Sequence, residues 1–261
     1  MHKQLTESPA TAMSRKSLQV RLAQTESEVR AAQRLRYKVF AEELGAKLAT
    51  RIPGHDVDYL DRYCEHLIVQ DTANGKIVGT YRILPPNRAR KIGGYYSEHE
   101  FYLTRLQNLR NATVEIGRAC IHPDYRSGGV IVMLWAGLAD YMVRSGHEYL
   151  IGCASITMAD GGNNAANTYL ELAQQHLAPI EYQVFPIHRL PFERLVDGQQ
   201  PCVPALLKGY LRAGAWICGE PAWDPDFNCA DILLLLPIAR LASRYSRHFI
   251  GDKTSLAAAV A

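Results

Sequence analysis

The chain has 261 residues, of which 48% are hydrophobic and 21% are charged, and its formal net charge is +3. This composition is typical of a globular protein with enough apolar residues to form a sizeable core. A net charge so close to zero does not indicate nucleic acid binding, so we expect no nucleic acid partner.

The cysteines and the apolar runs indicate the cellular compartment. The six cysteines are scattered and form no C-x-x-C pair: Cys64, Cys120, Cys153, Cys202, Cys218 and Cys229. Free thiols in a reducing compartment therefore fit better than disulfides or a zinc site, and we expect no bound metal. The longest apolar run, Ile232–Ile238, is far shorter than the roughly 20 residues of a spanning helix, and no signal peptide is recognised. The sequence thus predicts a cytoplasmic protein.

The N-terminal region predicts a tail followed by a helix. Residues 1–21 are polar and lack periodicity, so we expect a flexible tail there. Thr25 and Glu28 have the spacing of a capping box, and the apolar residues that follow predict a helix to about Glu43. Arg36 lies beside the apolar stripe of this helix, and we expect it to face inward.

The next segment, residues 44–63, contains three acids, Asp56, Asp58 and Asp61. A hard-cation site would require more oxygen ligands in a tighter loop pattern. Recognition of an ammonium group needs only one or two carboxylates. A simply solvated acidic loop is the third interpretation, and the residues alone favour it.

Two β-branched stretches, Glu65–Gln70 and Lys76–Leu84, predict a β-hairpin with its turn at residues 71–75. The second strand carries Arg82 and is stopped by two prolines. A short basic run on the following loop comprises Arg88, Arg90 and Lys91. A helix is predicted over Phe101–Asn108.

The stretch from Thr113 to Ser155 predicts a strand, a Gly-rich turn, a helix and a second strand. The turn consists of Arg126, Ser127, Gly128 and Gly129. Because unpaired amides and the helix dipole both point into such a turn, it can bind an anion, although most Gly-rich turns are only turns.

The strand Thr113–Ile121 carries two charged residues, Glu115 and Arg118, in an otherwise apolar sequence. Strict alternation would place them on opposite faces. Gly117 suggests a β-bulge, which would bring both charges to one side and separate the strand from its neighbour. A structural ion pair and a functional site are equally compatible with this stretch alone.

The remainder of the chain predicts further helices and strands but no second domain. Helices are expected over Asn163–Gln175, which contains Tyr169, and over Val203–Gly214. Strands are expected over Ile180–Phe185, Ala215–Cys218 and Ala230–Leu236. We therefore predict a single domain over residues 22–250, with a C-terminal extension, and a tail over residues 251–261.

This order of elements resembles the α/β fold of the GNAT acyltransferases, in which a mixed, mostly antiparallel sheet with splayed central strands is flanked by helices. More specifically, the sequence resembles the branch that holds N-acyl-homoserine-lactone (autoinducer) synthases and the L-ornithine N-alpha-acyltransferases of ornithine lipid synthesis, some labelled hemolysin-like. The matching stretches are LRYKVFAEELG (35–45), DVDYLD (56–61), HLIVQD (66–71), GTYRIL (79–84), EIGRACIHPDYR (115–126) and YLIGCASI (149–156). Residues 204–237 resemble the ornithine acyltransferase group.

The resemblance implies transfer of a 3-hydroxyacyl group from acyl carrier protein to the alpha-amine of L-ornithine, which gives lyso-ornithine lipid. Glu115 is then expected to take the proton of the amine, directly or through water. Arg118 and Arg82 are expected to position carboxylates. The resemblance also makes Asp58 and Asp61, with the neighbouring Arg36, candidates for substrate binding or loop organisation.

Tyr169 corresponds roughly to a tyrosine that protonates the leaving thiolate in many GNAT enzymes. The turn over residues 126–129 departs from the R/Q-x-x-G-x-G/A pattern of enzymes that use coenzyme A. A carrier protein presents one phosphodiester, so this turn favours acyl-phosphopantetheine on acyl carrier protein as the donor substrate, with no bound cofactor.

Acyl carrier proteins are acidic, so Arg88, Arg90 and Lys91 are candidates for docking one, beside the plainer interpretation of a solvated basic loop. Two other functions stay open. One is acylation of another amine, including synthesis of an acyl-homoserine lactone from S-adenosylmethionine. The other is a non-enzymatic lipid-binding or hemolysin-like protein. The sequence also leaves open a peripheral contact of Val203–Gly214 with the inner membrane.

Overall fold

The structure, a computed structural model, describes residues 17–241, which contain ten β-strands. The strands are β1 (Leu18–Leu22), β2 (Glu65–Asp71), β3 (Lys76–Leu84), β4 (Phe101–Tyr102), β5 (Thr113–Ile121), β6 (Tyr149–Thr157), β7 (Phe185–Pro186), β8 (Trp216–Ile217), β9 (Ala222–Asp224) and β10 (Cys229–Pro237). The large sheet has the order β1-β2-β3-β5-β6-β10-β8, with β9 also paired to β10, and β4 pairs with β7 separately. The β5–β6 pair is parallel and the other described pairs are antiparallel, which confirms the predicted mixed sheet.

Five α-helices in the described residues surround this sheet: α1 (Glu26–Tyr37), α2 (Pro86–Ile92), α3 (Gly129–Ser145), α4 (Asn163–His176) and α5 (Ala205–Ala213). Helices α1 and α3 cover opposite faces of the large sheet. Successive side chains of β2 alternate between these two faces. Ile68 packs into the cluster that contains residues of α1, whereas Leu67 and Val69 pack into the cluster that contains residues of α3.

The capping box predicted at the start of α1 is present. The Thr25 hydroxyl accepts a hydrogen bond from the Glu28 backbone N–H, and the Glu28 carboxylate accepts one from the Thr25 N–H. After Tyr37 the helix continues as a π-helix over Lys38–Glu43. The predicted end near Glu43 is therefore confirmed, with a change of helix type that the pattern did not indicate.

The two central strands separate as predicted. β5 and β6 pair only from Thr113 with Tyr149 to Glu115 with Ile151, whereas β6 pairs with β10 along its whole length. The next residue of β6 is Gly152, where a Cβ atom would lie 2.5 Å from the Ile116 carbonyl oxygen. A glycine is therefore required where the wedge-shaped gap between β5 and β6 begins.

The N-terminal boundary of the domain differs from the prediction. Residues 18–22 form β1, which pairs antiparallel with β2 and packs Leu18, Val20 and Leu22 against the core, so the tail does not extend to residue 21. The other tail positions, residues 1–16 and 251–261, and the predicted domain end at 250 lie outside the described residues.

Three short segments also differ from their predictions. The basic run is not a loop but lies in α2, which has a proline in its first turn and buries Ala89. The helix expected over Phe101–Asn108 is strand β4 followed by a 3₁₀-helix over Thr104–Ala112. The strand expected over Ile180–Phe185 is a 3₁₀-helix, Ile180–Tyr182, followed by β7. Short apolar runs do not distinguish helix from strand, and tertiary pairing decided these segments.

All six cysteines lie within residues 17–241 as free thiols, as predicted. None of the helices in this part of the chain is both long and apolar enough to span a membrane.

Candidate active site

The predicted β-bulge lies in β5, directly after Gly117. Arg82 of β3 pairs with Gly117 and Thr80 pairs with Cys120, so two residues of β5, Arg118 and Ala119, lie opposite Tyr81 alone. Arg118 has a φ of 50°, in the left-handed region that side chains rarely adopt. The bulge therefore re-aims the Arg118 side chain at the point where β5 leaves β6.

Glu115 lies at the last position at which β5 pairs with β6, and it is buried. Its carboxylate accepts hydrogen bonds from the backbone N–H groups of Tyr96 (2.6 Å) and Ser97 (2.8 Å) and from the Ser97 hydroxyl (2.5 Å). Burial raises the pKa of Glu115, and the bonds from Ser97 and Tyr96 oppose that rise. The carboxylate thus has fixed geometry and a pKa above the ordinary value.

Arg118 contacts aromatic rings and aspartates rather than Glu115. Its guanidinium carbon lies 5.2 Å from the centre of the Tyr96 ring and 4.5 Å from that of Phe227. Its nitrogens lie 3.3 Å from Asp56 and 3.5 Å from Asp58. The structural ion pair between Glu115 and Arg118, one of the two interpretations left open, is therefore not formed.

Arg36 faces inward as predicted and is 0% exposed. Its guanidinium donates to the Asp56 carboxylate and to both carboxylate oxygens of Asp61, each at 2.9 Å. A second arginine, Arg82 of β3, donates to Asp58 at 2.6 Å and lies 3.6 Å from Asp61. With Arg118, these residues form a buried network of three arginines and three aspartates.

This network fixes the acidic segment to α1, β3 and β5. Burial opposes ionisation of Asp61, but Arg36 and Arg82 outweigh it and lower the pKa of Asp61 to about 2. Burial likewise opposes ionisation of Asp58, and Arg82 nevertheless lowers its pKa. Both carboxylates already have guanidinium partners. The contacts therefore favour loop organisation, one of the two roles expected for Asp58 and Asp61, over ammonium binding.

Two cavities open beside the wedge between β5 and β6. The first has a volume of about 300 Å³, and its walls include Glu115, Arg118, Arg82, Tyr96, Tyr210, Asp224 and Asp231. The second has a volume of about 1160 Å³, and its walls are mostly apolar, with Val39, Ile131, Trp135, Arg126 and Gly128 among them. Four residues line both cavities: Phe40, Leu44, Ala119 and Leu206. The cavities are therefore neighbours that meet at the bulge.

The Gly-rich turn predicted as the donor site borders the larger cavity. Ser127 and Gly128 precede α3, which begins at Gly129. Gly128 is the N-cap of this helix and has a φ of 100°. The Arg126 side chain is held by both carboxylate oxygens of Glu43, from the π-helix, and donates to the Ile121 carbonyl at 3.1 Å. The turn thus borders an apolar cavity, with its arginine paired to the π-helix.

Tyr169 does not lie at either cavity. It is buried in α4, its ring packs edge to face against Phe192 with the ring centres 4.8 Å apart, and it is not among the residues that line either cavity. The expected place of Tyr169 in the site is therefore wrong, because the helix turns that side chain into the core. Three other tyrosines do line the first cavity, Tyr81, Tyr96 and Tyr210. The hydroxyl oxygens of Tyr81 and Tyr210 are 2.7 Å apart.

The basic run with Arg88, Arg90 and Lys91 lies away from the donor turn. It follows Leu84, which pairs with Glu115, whereas the donor turn follows Ile121, which pairs with Gly79. Gly79 and Leu84 are five positions apart along β3, or about 17 Å at the rise of a strand. Arg88 also pairs with Glu65 at 3.2 Å. The expectation that this run neighbours the donor cleft is therefore wrong.

Sequence reasoning missed three buried acids near the first cavity, Glu100, Asp224 and Asp231. Asp231 lies at the start of an apolar strand, ADILLLLP, and is the same kind of signal as Glu115 in β5. A charged residue inside a buried strand requires a compensating group, so this position could have been identified from the sequence.

Comparison with known proteins shows the relationships of the chain. Residues 35–136 match the acetyltransferase (GNAT) domain family. The chain is 36% identical over 255 residues to an L-ornithine N(alpha)-acyltransferase of Brucella abortus, an alignment that covers 89% of each protein. It is 34% identical to the L-ornithine N(alpha)-acyltransferase of Rhodobacter capsulatus, over 89% of this chain and 95% of that relative.

Solved structures agree on the fold. An N-acyl amino acid synthase from uncultured soil microbes superposes with a TM-score of 0.54 at 14% identity, over 87% of this chain and 96% of that chain. A CoA-dependent acyl-homoserine lactone synthase gives a TM-score of 0.51 at 17% identity, over 88% and 84% of the two chains. These similarities confirm the acyltransferase fold predicted from the order of elements.

Proposed function

We propose that this chain, which belongs to the family of L-ornithine N(alpha)-acyltransferases, transfers a 3-hydroxyacyl group from acyl carrier protein to the alpha-amine of L-ornithine. The product would be lyso-ornithine lipid. The observation that carries the proposal is the meeting of two cavities at the bulge of β5, one containing a buried carboxylate and the other apolar and bordered by the donor turn. Since the family consists of N-acyltransferases, the non-enzymatic alternative is not retained.

The larger cavity supports a long acyl donor. Its volume of about 1160 Å³ and its apolar walls suit an acyl chain together with a pantetheine arm. Gly128 at its mouth leaves the backbone of the turn accessible to a phosphodiester. Arg126 is placed to exchange its Glu43 partner for that phosphodiester. These features support acyl-phosphopantetheine on a carrier protein as the donor substrate.

Glu115 supports the acceptor half of the reaction. The alpha-amine must lose a proton as it attacks the thioester carbonyl, and a carboxylate with a raised pKa is a stronger base than an ordinary one. Because Tyr96 and Ser97 fix the carboxylate, the proton reaches it directly or through one water. Beyond the Glu115 pairing the β5 backbone leaves β6, so its N–H groups border the wedge where an oxyanion would form.

The thiolate that leaves the donor must regain a proton. Tyr210 lines the first cavity beside the bulge, and burial raises its pKa well above the ordinary value, so the phenol stays protonated. Its hydroxyl contacts that of Tyr81, which also accepts a 3.3 Å hydrogen bond from the Trp135 indole. We assign the role expected for Tyr169 to this tyrosine pair.

The test is a reconstitution with defined substrates. The purified chain is incubated with L-ornithine and either 3-hydroxyacyl carrier protein or 3-hydroxyacyl coenzyme A, and the products are identified by mass spectrometry with fragmentation that separates alpha from delta amides. We expect the alpha amide, formed faster from the carrier protein. A delta amide, an acyl-homoserine lactone from S-adenosylmethionine, or no product from ornithine would overturn the proposal.

A further inference from the structure

Three buried carboxylates converge beside the first cavity, and we call them the acidic pocket. Glu100 follows the 3₁₀-helix Tyr96–His99, Asp224 ends β9, and Asp231 lies in β10. They are 8%, 9% and 3% exposed, respectively. Asp224 and Asp231 line the same cavity as Glu115 and Arg118. The acidic pocket is thus part of the space in which an acceptor would bind.

The acidic pocket lacks positive charge. Among residues 17–241, no arginine, lysine or histidine forms an ion pair with any of these three acids, in contrast to the fully paired aspartates of the Arg36 network. Within the same residues, both carboxylate oxygens of Glu100 are buried without a hydrogen-bond partner. A buried acid in this state is costly unless a proton or a cation accompanies it.

The surroundings of Glu100 favour its protonated form and provide no positive counter-charge. Burial, followed by the negative charge of Asp231, raises the pKa of Glu100 to about 10. The other titratable groups near Glu100 are Asp224, Tyr96 and Cys153, none of them cationic. At neutral pH Glu100 therefore carries a proton, which a bound cation would displace.

We propose that the acidic pocket binds the side-chain ammonium of a diamino acid acceptor through Glu100 and Asp231. This inference rests on the proposed function and identifies the part of the site that selects ornithine. The acceptor then lies across the first cavity, with its side-chain ammonium in the acidic pocket, its alpha-amine toward Glu115 and its carboxylate toward Arg118.

Contacts connect the acidic pocket to the base. The side-chain ligand atoms of Glu100, Asp231 and Cys153 lie within 4.8 Å of one another. The Cys153 thiol contacts the Ser97 hydroxyl at 3.7 Å, and that hydroxyl donates to Glu115. Two short contacts thus separate the acidic pocket from the base, a span that one diamino acid can bridge.

The same three ligand atoms lie close enough together to hold a metal ion. A metal at this point would require the Cys153 thiolate as its third ligand, because Glu100 and Asp231 supply only two carboxylates. An ammonium group needs only carboxylates, and Glu100 and Asp231 supply two. We therefore assign the site to an alkylammonium group.

The first test compares acceptors and variants. L-Norvaline has the carbon skeleton of ornithine without the side-chain amine. Glu100→Gln and Asp231→Asn should each raise the KM for ornithine roughly 30-fold or more, as expected for removal of one partner of a buried charge pair. The kcat/KM for norvaline should stay within about twofold of wild type. Asp226→Asn removes an exposed carboxylate from the turn after Asp224 and should change neither constant.

An unchanged ornithine KM in folded Glu100→Gln and Asp231→Asn, or an equal loss with ornithine and norvaline, would overturn the assignment. Thermal denaturation checks folding: because neither acid forms an ion pair with a described residue in the ligand-free protein, the Tm of the variants should not fall below that of wild type.

The second test is calorimetric and does not depend on turnover. Ornithine binding to wild type should release about one proton per molecule at neutral pH, measured as a difference between buffers of unlike ionisation enthalpy. Glu100→Gln should bind without that release. Prior treatment with EDTA should change nothing, whereas binding that is lost in EDTA and restored by a divalent metal would overturn the ammonium assignment.

The two proposals can fail separately. If wild type acylates a different amine, the proposed function fails, while butylammonium binding that is abolished by Glu100→Gln still supports the acidic pocket. If wild type acylates ornithine and the pocket variants keep its affinity, the pocket assignment alone fails.

Discussion

The Ser97 hydroxyl donates a 2.5 Å hydrogen bond to the Glu115 carboxylate, and the Ser97 backbone N–H donates another at 2.8 Å. The carboxylate is therefore held by the start of a 3₁₀-helix rather than by a cation. This arrangement fixes the position of the proposed base while burial keeps its pKa raised. An ion pair would instead have lowered that pKa and weakened the base.

The first prediction concerns this base. Glu115→Gln keeps the shape of the side chain but removes the proton acceptor, so we expect a loss of kcat on the order of a hundredfold or more. The pH profile should also change. Wild-type kcat/KM rises as Glu115 ionises, and the variant should lose that limb.

The control for this prediction is Ser97→Ala, which removes only one donor to the carboxylate. It should keep the rising limb and shift it to higher pH. Near-wild-type turnover by a folded Glu115→Gln protein would refute the role of base.

The second prediction concerns the arginine–aspartate network. Asp61→Asn leaves Arg36 buried with less compensation, so we expect the free energy of unfolding to fall by about 3–5 kcal/mol, measured by urea denaturation. The folded-state pKa of Asp61, about 2, lies below its ordinary value of 3.8. Its contribution to stability is therefore present above pH 4 and is lost as the pH falls toward 2.

This effect should disappear in Asp61→Asn, whose stability should depend less on pH over that interval. The opposite pattern, a stable variant with a strongly raised KM for ornithine, would indicate that Asp61 binds the substrate.

The third prediction concerns the donor turn. Arg126→Ala should raise the KM for acyl carrier protein several-fold, because the phosphodiester loses a charged donor. Glu43→Gln frees Arg126 from its partner and should leave that KM unchanged or lower it. Acyl coenzyme A should be a poor donor for all three proteins. Equal rates of the wild type with both donors would show that the turn does not select the carrier protein.

The fourth prediction concerns carrier docking. Lys38 is exposed, and its Nζ lies 3.2 Å from Nε2 of His122, which follows Ile121 in the wall of the larger cavity. Lys38→Glu should therefore raise the KM for carrier protein at low salt. The increase should shrink at high salt, because the Debye length is about 8 Å at physiological ionic strength.

The matched control reverses Arg90 and Lys91 in α2, at the far end of β3, and should leave the KM for carrier protein unchanged. An increase from the α2 reversal without one from Lys38→Glu would place docking at α2 after all.

The sequence by itself determined the features that depend on residues close together in the chain. The spacing of Thr25 and Glu28 predicted a capping box, because both groups satisfy amides of the same helical turn. Gly117 between Glu115 and Arg118 predicted the bulge, whereas the two charges in that strand left an ion pair and a functional site equally open. Resemblance supplied the family, because matched motifs extend along most of the chain.

The tertiary structure decided which charges meet. Glu100 and Asp231 lie far apart in the sequence, and the tertiary structure brings both carboxyl groups to Cys153 of β6. Arg118 contacts Asp56 and Asp58 rather than Glu115, and Tyr210 rather than Tyr169 lines the cavity. Capping and alternation act over a few residues, whereas the compensation of a buried charge depends on partners that only the packed sheet brings within a few ångströms.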